Sequence, residues 1–106
     1  MTENKDIEVA KQTIDREIEA LKAMENELDG TLTTAVDVLQ KTKGRVIVTG
    51  MGKSGHIGRK MAATFASTGT PSFFLHPGEA SHGDLGMITP DDTVVAISNS
   101  GESKEL

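Results

Sequence analysis

Apolar residues in the first part of the chain recur at helical spacing. Between residues 7 and 28 they stand three, four or seven positions apart with charged residues between them, which predicts a long amphipathic helix ending near Asp29 and Gly30. A second helix should follow, with Thr31 as its N-cap and Gly44 beyond its end. Residues 1–43 are therefore expected to form a helical arm used for packing or oligomerisation. The apolar positions are Ile7, Ala10, Ile14, Ile18, Leu21 and Leu28, then Leu32, Ala35, Val36 and Leu39.

The pattern changes at residue 45 from helical spacing to short β-branched runs. Residues 45–49, RVIVT, predict a strand buried on both faces, and residues 72–75 and 93–97 predict two more. Residues 54–67 suit a helix, and residues 76–92 suit a loop. The helix should face a sheet with Ile57, Met61, Ala62 and Phe65.

This alternation of strands and helices predicts an α/β fold with a doubly wound parallel sheet, in three α/β/α layers, over residues 44–106. The sequence stops at Leu106, where a further helix is expected to begin. Three strands leave little to cover both faces of a parallel sheet. We therefore expect residues 44–106 to be the N-terminal half of a domain, and the chain to be truncated.

Composition narrows the possible functions. The 106 residues carry a net charge of -5 and no cysteine, which excludes disulfides, thiolate catalysis and cysteine zinc sites. An acidic chain with no basic stripe and only three Phe as aromatics is a poor nucleic-acid binder. No apolar run approaches the roughly 20 residues of a membrane span, and the charged N-terminus is unlike a signal peptide. We expect a cytoplasmic protein with no membrane contact.

The stretch GMGKSG after the first strand resembles two phosphate-binding motifs. It matches the G-x-G-x-x-G of dinucleotide-binding folds, but His76 stands where an acidic residue would hold the ribose. It also imitates the end of a Walker A loop, but the first glycine of that motif would fall at Ile47. The sequence disfavours the dinucleotide site and excludes the Walker A loop.

A third interpretation combines two turns. Ligands of open parallel sheets bind beyond the carboxyl ends of the strands, and both GMGKSG and SNSGES follow predicted strands. Hydroxyls at Ser98, Ser100 and Ser103, with Gly101 opening a helix, offer donors to one phosphate. An ordinary helix cap at Ser100 is the alternative. Two such turns together favour one phosphate on a small molecule over a nucleotide.

These motifs also carry a resemblance to a known family. GKSGHIGRK, HPGEASHGDLG and SNSGES occur in this order, and residues 45–106 resemble the sugar isomerase (SIS) domain of the arabinose-5-phosphate isomerases that serve 3-deoxy-manno-octulosonate (Kdo) and lipopolysaccharide synthesis. The resemblance implies a flavodoxin-like sheet, a homotetramer, and interconversion of D-arabinose 5-phosphate and D-ribulose 5-phosphate without a cofactor. Further family site residues would lie beyond Leu106, so the 106-residue fragment alone is expected to be inactive.

The resemblance also assigns residues. It matches Lys53 to an active-site lysine, His82 to an active-site histidine and Glu105 to a glutamate proposed for proton transfer. A lysine in the first turn of a helix is disfavoured by the helix dipole, so an anionic ligand would compensate it. The same dipole favours Glu102 and Glu105 without any catalytic role. The expected sugar-phosphate-binding residues are Gly52, Ser54, Ser98, Ser100, Gly101, Glu102 and Ser103.

Two histidines with carboxylates in the predicted loop leave a metal site open as the less favoured interpretation. His76, Glu79, His82 and Asp84 follow one another at spacings that a loop does not hold on one face, so we expect no metal, with His76 and His82 as the residual candidates. His56 is expected to cap or pack locally.

Two competing functions remain. One is an SIS isomerase of another ketose phosphate, which should lack the HPGEASHGDLG loop. The other is a non-catalytic sugar-phosphate sensor, in which Lys53 and Glu105 would be idle.

Overall fold

The structure is a computed structural model that describes residues 2–102, and the side chains of residues 4–102. The chain divides into two compact units, Met1–Ala35 and Val36–Leu106. The domain boundary expected between residues 43 and 44 stays a prediction.

The first unit consists of helix α1 (Thr2–Glu27) and the start of helix α2 (Gly30–Gln40). Both helices were predicted from the apolar spacing. The predicted cap of α2 is wrong, because Thr31 lies inside the helix and Asp29 caps it. The Asp29 carboxylate accepts from the backbone N–H of Thr31 at 2.9 Å and from its hydroxyl at 2.6 Å. The hydrogen bond from the Thr31 hydroxyl has the larger effect in lowering the pKa of Asp29, and the hydrogen bond from the Thr31 N–H adds to it.

The apolar stripe of α1 is exposed along the described part of the helix. Its large apolar side chains keep about half of their surface accessible. Among residues 2–102, no helix is both long enough and apolar enough to cross a membrane. The exposed residues of the stripe are Ile7, Ile14, Ile18, Leu21 and Met24, and Leu28 just beyond the helix is exposed as well.

The second unit is built on a parallel sheet. Strands β1 (Val46–Gly50), β2 (Ser72–Phe74) and β3 (Thr93–Ile97) lie in the order β2-β1-β3. The sheet confirms the predicted α/β fold, and β3 has the predicted bounds. In the central strand β1, Val46, Ile47 and Val48 are fully buried.

Helix α3 (Gly52–Ser67) covers β1 and packs closely against it. The core joins Val46 and Val48 of β1 to Ala62 of α3. A Cβ added at Gly58 would lie 3.0 Å from the Phe74 ring and 3.1 Å from a Val48 methyl group. Glycine and alanine therefore face the sheet where the helix approaches it. Six partly buried side chains complete the core: Leu39, Met61, Phe65, Phe74, Val95 and Ile97.

Because α3 approaches the sheet so closely, the side of the helix that faces the sheet differs from the predicted one. Met61, Ala62 and Phe65 pack on the core as predicted, but Ile57 is 58% exposed. Gly55 and Gly58 are buried instead. A hydrophobic pattern assigns the largest side chains to the core, and it misses a face made of glycine.

The segment predicted as a loop contains two short helices, α4 (Pro77–Ser81) and a 3-10 helix (Asp84–Met87). His76 begins α4 as its N-cap, and its Nδ1 accepts from the N–H of Gly78 at 3.0 Å. Pro77, which is buried, occupies the first turn, where its fixed φ suits a helix. Cap and proline together explain a helix in a segment whose glycines suggested none.

Asp92 joins the starts of β1 and β3. Its carboxylate accepts from the backbone N–H groups of Arg45 at 2.7 Å and Thr89 at 2.8 Å, and the Arg45 guanidinium lies 3.8 Å away. The side chain of Asp92 is 1% exposed. The backbone N–H of Arg45 first, and that of Thr89 second, hold the pKa of Asp92 below its usual range against the opposing effect of desolvation.

Candidate functional site

The turns that follow the three strands lie side by side at one edge of the sheet. Gly50, the last residue of β1, pairs with Ile97, the last residue of β3. On the other side, Val48 of β1 pairs with Phe74 at the end of β2. The turn after β1 therefore lies between the segments that follow β2 and β3, at the carboxyl edge where open α/β sheets bind ligands.

The glycine turn after β1 opens directly into α3, two residues earlier than predicted. Met51 is the N-cap residue, and Gly52 has a φ of +56°, a left-handed conformation that favours glycine. Lys53 and Ser54 lie in the first turn, Lys53 exposed and Ser54 half-buried. Among residues 4–102, the Lys53 ammonium forms no hydrogen bond or ion pair. It is a cation beside the positive end of a helix dipole, as the sequence predicts.

The serine turn after β3 is closed by its own hydroxyls. Ser98 Oγ accepts from the N–H of Gly101 at 2.9 Å, and Ser100 Oγ accepts from the N–H of Glu102 at 3.1 Å. Gly101 has a φ of +73°. Residues 99–101 bend the chain, and the helix expected to open at Gly101 would run into residues outside the described part of the chain. The predicted site residues Ser103 and Glu105 lie outside the described residues.

Both hydrogen bonds use a serine oxygen as the acceptor, so the Ser100 hydroxyl keeps its proton as a donor. A serine oxygen can accept one hydrogen bond and donate another. The turn thus offers a hydroxyl donor at the end of β3, next to the glycine turn.

The two predicted histidines bracket α4. His76 is its N-cap and His82 its C-cap, and both are exposed. Because Nδ1 of His76 accepts a hydrogen bond, the neutral ring carries its proton on Nε2, which leaves one N–H donor. Among the described residues, no three His, Asp or Glu side chains are grouped to hold a metal ion.

A cavity of about 270 Å³ lies between the start of α3 and the end of β2. His56 and Arg59 line it together with His76 and Phe74, whereas Lys53 does not. His56 was expected to cap or pack locally, but it forms no hydrogen bond among residues 4–102 and faces this cavity. The glycines that complete the lining are Gly50, Gly52 and Gly55.

The sequence reasoning did not place Arg59 in the site, although its spacing held the signal. Gly52, His56 and Arg59 stand four and three positions apart, which puts them on one face of α3. Among the described residues no carboxylate lines the cavity, and the polar side chains that do are imidazoles and a guanidinium. Such a set suits a ligand rich in oxygen acceptors.

Comparisons with known proteins agree with this geometry. The family model described as SIS domain matches residues 38–106. Arabinose 5-phosphate isomerase KdsD of Escherichia coli K12 is 60% identical over 99 residues, which are 93% of this chain and 30% of that protein. The protein of the same name from Francisella tularensis is 58% identical over 100 residues, 92% of this chain and 31% of the relative. The chain thus spans about 30% of the length of these relatives.

Solved structures show the same fold. E. coli CFT073 c3406, solved in complex with arabinose 5-phosphate, superposes with a TM-score of 0.92 at 48% identity, and the match covers 99% of this chain and 56% of the other. A Bacteroides fragilis protein, described as a putative phosphosugar isomerase involved in capsule formation, has a TM-score of 0.70 at 37% identity. That match covers 84% of this chain and 53% of the other.

Proposed function

The chain belongs to the SIS domain family, and we propose that the full-length protein isomerises D-arabinose 5-phosphate to D-ribulose 5-phosphate. One observation carries the proposal: 60% identity, over 93% of this chain, to a relative named arabinose 5-phosphate isomerase. The arabinose 5-phosphate bound to the similar E. coli CFT073 structure supports the same substrate. We further propose that the product serves Kdo and lipopolysaccharide precursor synthesis.

The proposed chemistry needs a base, a cation and a binding site for the phosphate. Aldose–ketose isomerisation moves a proton between C1 and C2 through an enediolate, whose negative charge must be stabilised. We propose that Lys53 supplies the cation and Glu105 takes part in proton transfer, with His82 orienting the sugar. Lys53 is supported by its position in the first turn of α3 without an anionic partner among residues 4–102.

We propose that the phosphate binds between the glycine turn and the serine turn. The pairing of Gly50 with Ile97 brings the two turns together. The described residues of the proposed set are Gly52, Ser54, Ser98, Ser100, Gly101 and Glu102, and Ser103, outside the described residues, completes it. Fixing the phosphate would hold the reactive end of the sugar in one position, which lowers the entropic part of the barrier.

The test is conversion of D-arabinose 5-phosphate to D-ribulose 5-phosphate by the full-length protein, beside Lys53→Ala and Lys60→Ala. We expect activity in the unmodified protein, a loss of about 10²–10³-fold in kcat for Lys53→Ala, and little change for Lys60→Ala. Lys60 is the matched control because it is an exposed lysine of the same helix, about two turns away from the helix start where Lys53 lies. Binding of the sugar phosphate without turnover would instead favour the sensor.

We also propose that the full-length protein is a cytoplasmic homotetramer. The exposed apolar stripe of α1 supports self-association, since such a stripe is stabilised when it is covered. Light scattering on the purified full-length protein measures the mass directly. A monomeric mass at assay concentration would contradict this part of the proposal.

A further inference from the structure

Arg59 is fixed in place by an aromatic ring. Its guanidinium carbon lies 4.3 Å from the centroid of Phe74, a cation–π stack. Phe74 is itself packed against α3, because a Cβ at Gly58 would lie only 3.0 Å from that ring. The Phe74 ring thus lies against the guanidinium and takes up none of its N–H donors. Arg59 is held ready to bind a ligand at little conformational cost.

A comparison with Arg45 shows what Arg59 lacks. Arg45 stacks on Phe73 at 4.7 Å, donates to the carbonyl oxygen of Met87 at 2.9 Å, and lies beside the Asp92 carboxylate. Arg59 forms no hydrogen bond or ion pair among residues 4–102. Arg45 has the partners of a structural arginine, whereas the N–H donors of Arg59 are left for a ligand in the cavity.

The position of the cavity indicates which end of a sugar phosphate it would take. It lies between the glycine turn after β1 and the end of β2, whereas the serine turn follows β3 on the other side of β1. Neighbouring strands are about 4.8 Å apart, so the ends of β2 and β3 are separated by about 10 Å. An extended five-carbon sugar measures about 9 Å from its first oxygen to phosphorus, given bonds of about 1.5 Å. The two ends of one pentose phosphate therefore match the two places.

We propose that Arg59, stacked on Phe74, binds the C1–C2 oxygens of the sugar phosphate while the serine turn holds its phosphate. This inference rests on the proposed function and names the subsite for the reactive end. The planar guanidinium can donate two parallel hydrogen bonds to neighbouring oxygens. Its charge also stabilises the enediolate more than the neutral sugar, so Arg59 contributes mainly to kcat.

The experiment compares Arg59→Gln, Arg59→Lys and Lys60→Gln in the full-length protein. We measure kcat and KM for D-arabinose 5-phosphate, and the inhibition constant of inorganic phosphate. Arg59→Gln should lower kcat about 100-fold and leave phosphate inhibition within about twofold. Arg59→Lys should recover part of kcat, because lysine keeps the positive charge but cannot donate the two parallel hydrogen bonds of a guanidinium. Lys60→Gln, a neighbouring charge outside the cavity, should resemble the unmodified protein.

Intact phosphate inhibition in Arg59→Gln also shows that the variant is folded. If its phosphate inhibition weakens in parallel with KM while kcat persists, Arg59 holds the phosphate and the inference is wrong. Unchanged kinetics in Arg59→Gln contradict it equally.

A failure of the proposed function gives a different result. If the unmodified protein binds D-arabinose 5-phosphate without converting it, the isomerase proposal fails. The role of Arg59 is then tested by the dissociation constants of D-arabinose 5-phosphate and of inorganic phosphate. The inference then requires that Arg59→Gln weaken sugar-phosphate binding more than inorganic phosphate binding. Equal weakening of both, or of neither, overturns it.

Discussion

Gly55 and Gly58 provide a direct test of how closely α3 approaches the sheet. A Cβ at Gly55 would lie 2.7 Å from the carbonyl oxygen of Gly50, a main-chain atom of β1 that no side-chain rotation can move away. At Gly58 the nearest atoms belong to the side chains of Phe74 and Val48, which can shift by a few tenths of an ångström. Alanine at these two positions should therefore have different effects.

The magnitudes follow from two opposing contributions. Replacing glycine by alanine inside a helix stabilises it by about 1 kcal/mol, and overpacking a core costs about 1–3 kcal/mol. Gly58→Ala should lie at the low end of that cost and change the free energy of unfolding by about zero. Gly55→Ala should lie at the high end and lose about 2 kcal/mol. Gly30→Ala, with nothing within 4 Å of its Cβ, is the open control.

Thermal unfolding and amide hydrogen exchange of the full-length variants measure the difference. A loss of 2 kcal/mol speeds exchange of the β1 amides about 30-fold where exchange needs opening of the sheet. Gly58→Ala and Gly30→Ala should leave that rate nearly unchanged. A Gly55→Ala variant as stable as Gly58→Ala would refute the close contact between α3 and Gly50.

Three further predictions concern other parts of the second unit. The backbone N–H of Arg45 is the main cause of the lowered pKa of Asp92 in the folded protein. The stability that the Asp92 carboxylate contributes is therefore complete above the unfolded pKa of about 3.9, and it is lost as the pH falls through the folded pKa. Asp92→Asn should therefore lower the Tm near neutral pH and flatten its fall in acid. Ile47→Ala, at a fully buried position, should cost about 2–5 kcal/mol in denaturant unfolding, and a loss below about 1 kcal/mol contradicts the packing of β1. Gly101→Ala should strain the serine turn by about 1 kcal/mol and weaken inhibition by inorganic phosphate, and unchanged inhibition contradicts a role of that turn in phosphate binding.

The strands were predictable because their signal is local. β1 and β3 are β-branched runs whose neighbours change the period at both ends, and the structure begins and ends β3 at the predicted residues. The short helix α4 was not predictable from hydrophobic spacing. It depends on a His76 cap and on Pro77 in the first turn, which act within five residues and leave no apolar period.

The site was only partly predictable for a different reason. The sequence indicated the two turns, since each follows a strand and the carboxyl ends of parallel strands share one edge. Its spacing puts Arg59 on one helix face with Gly52 and His56, but it did not indicate that this face lines a cavity, because the cavity depends on how Phe74 packs against α3. That packing depends in turn on Gly58, whose contribution is the absence of a side chain. A pattern of hydrophobic residues contains no such signal.

The glycines between residues 50 and 58 have separate physical reasons. A Cβ at Gly50 would lie 3.1 Å from main-chain atoms of Ser54 and Ile97. One at Gly55 would lie 2.7 Å from the carbonyl oxygen of Gly50, and one at Gly58 would be tight against two side chains of the sheet. Only Gly52 serves the turn itself, through its positive φ. Packing therefore accounts for most of a glycine pattern that resembles a phosphate motif. The proposed phosphate site rests instead on the donors at the sheet edge. Variants that change a charge or the serine turn, with phosphate inhibition as the measurement, therefore test it.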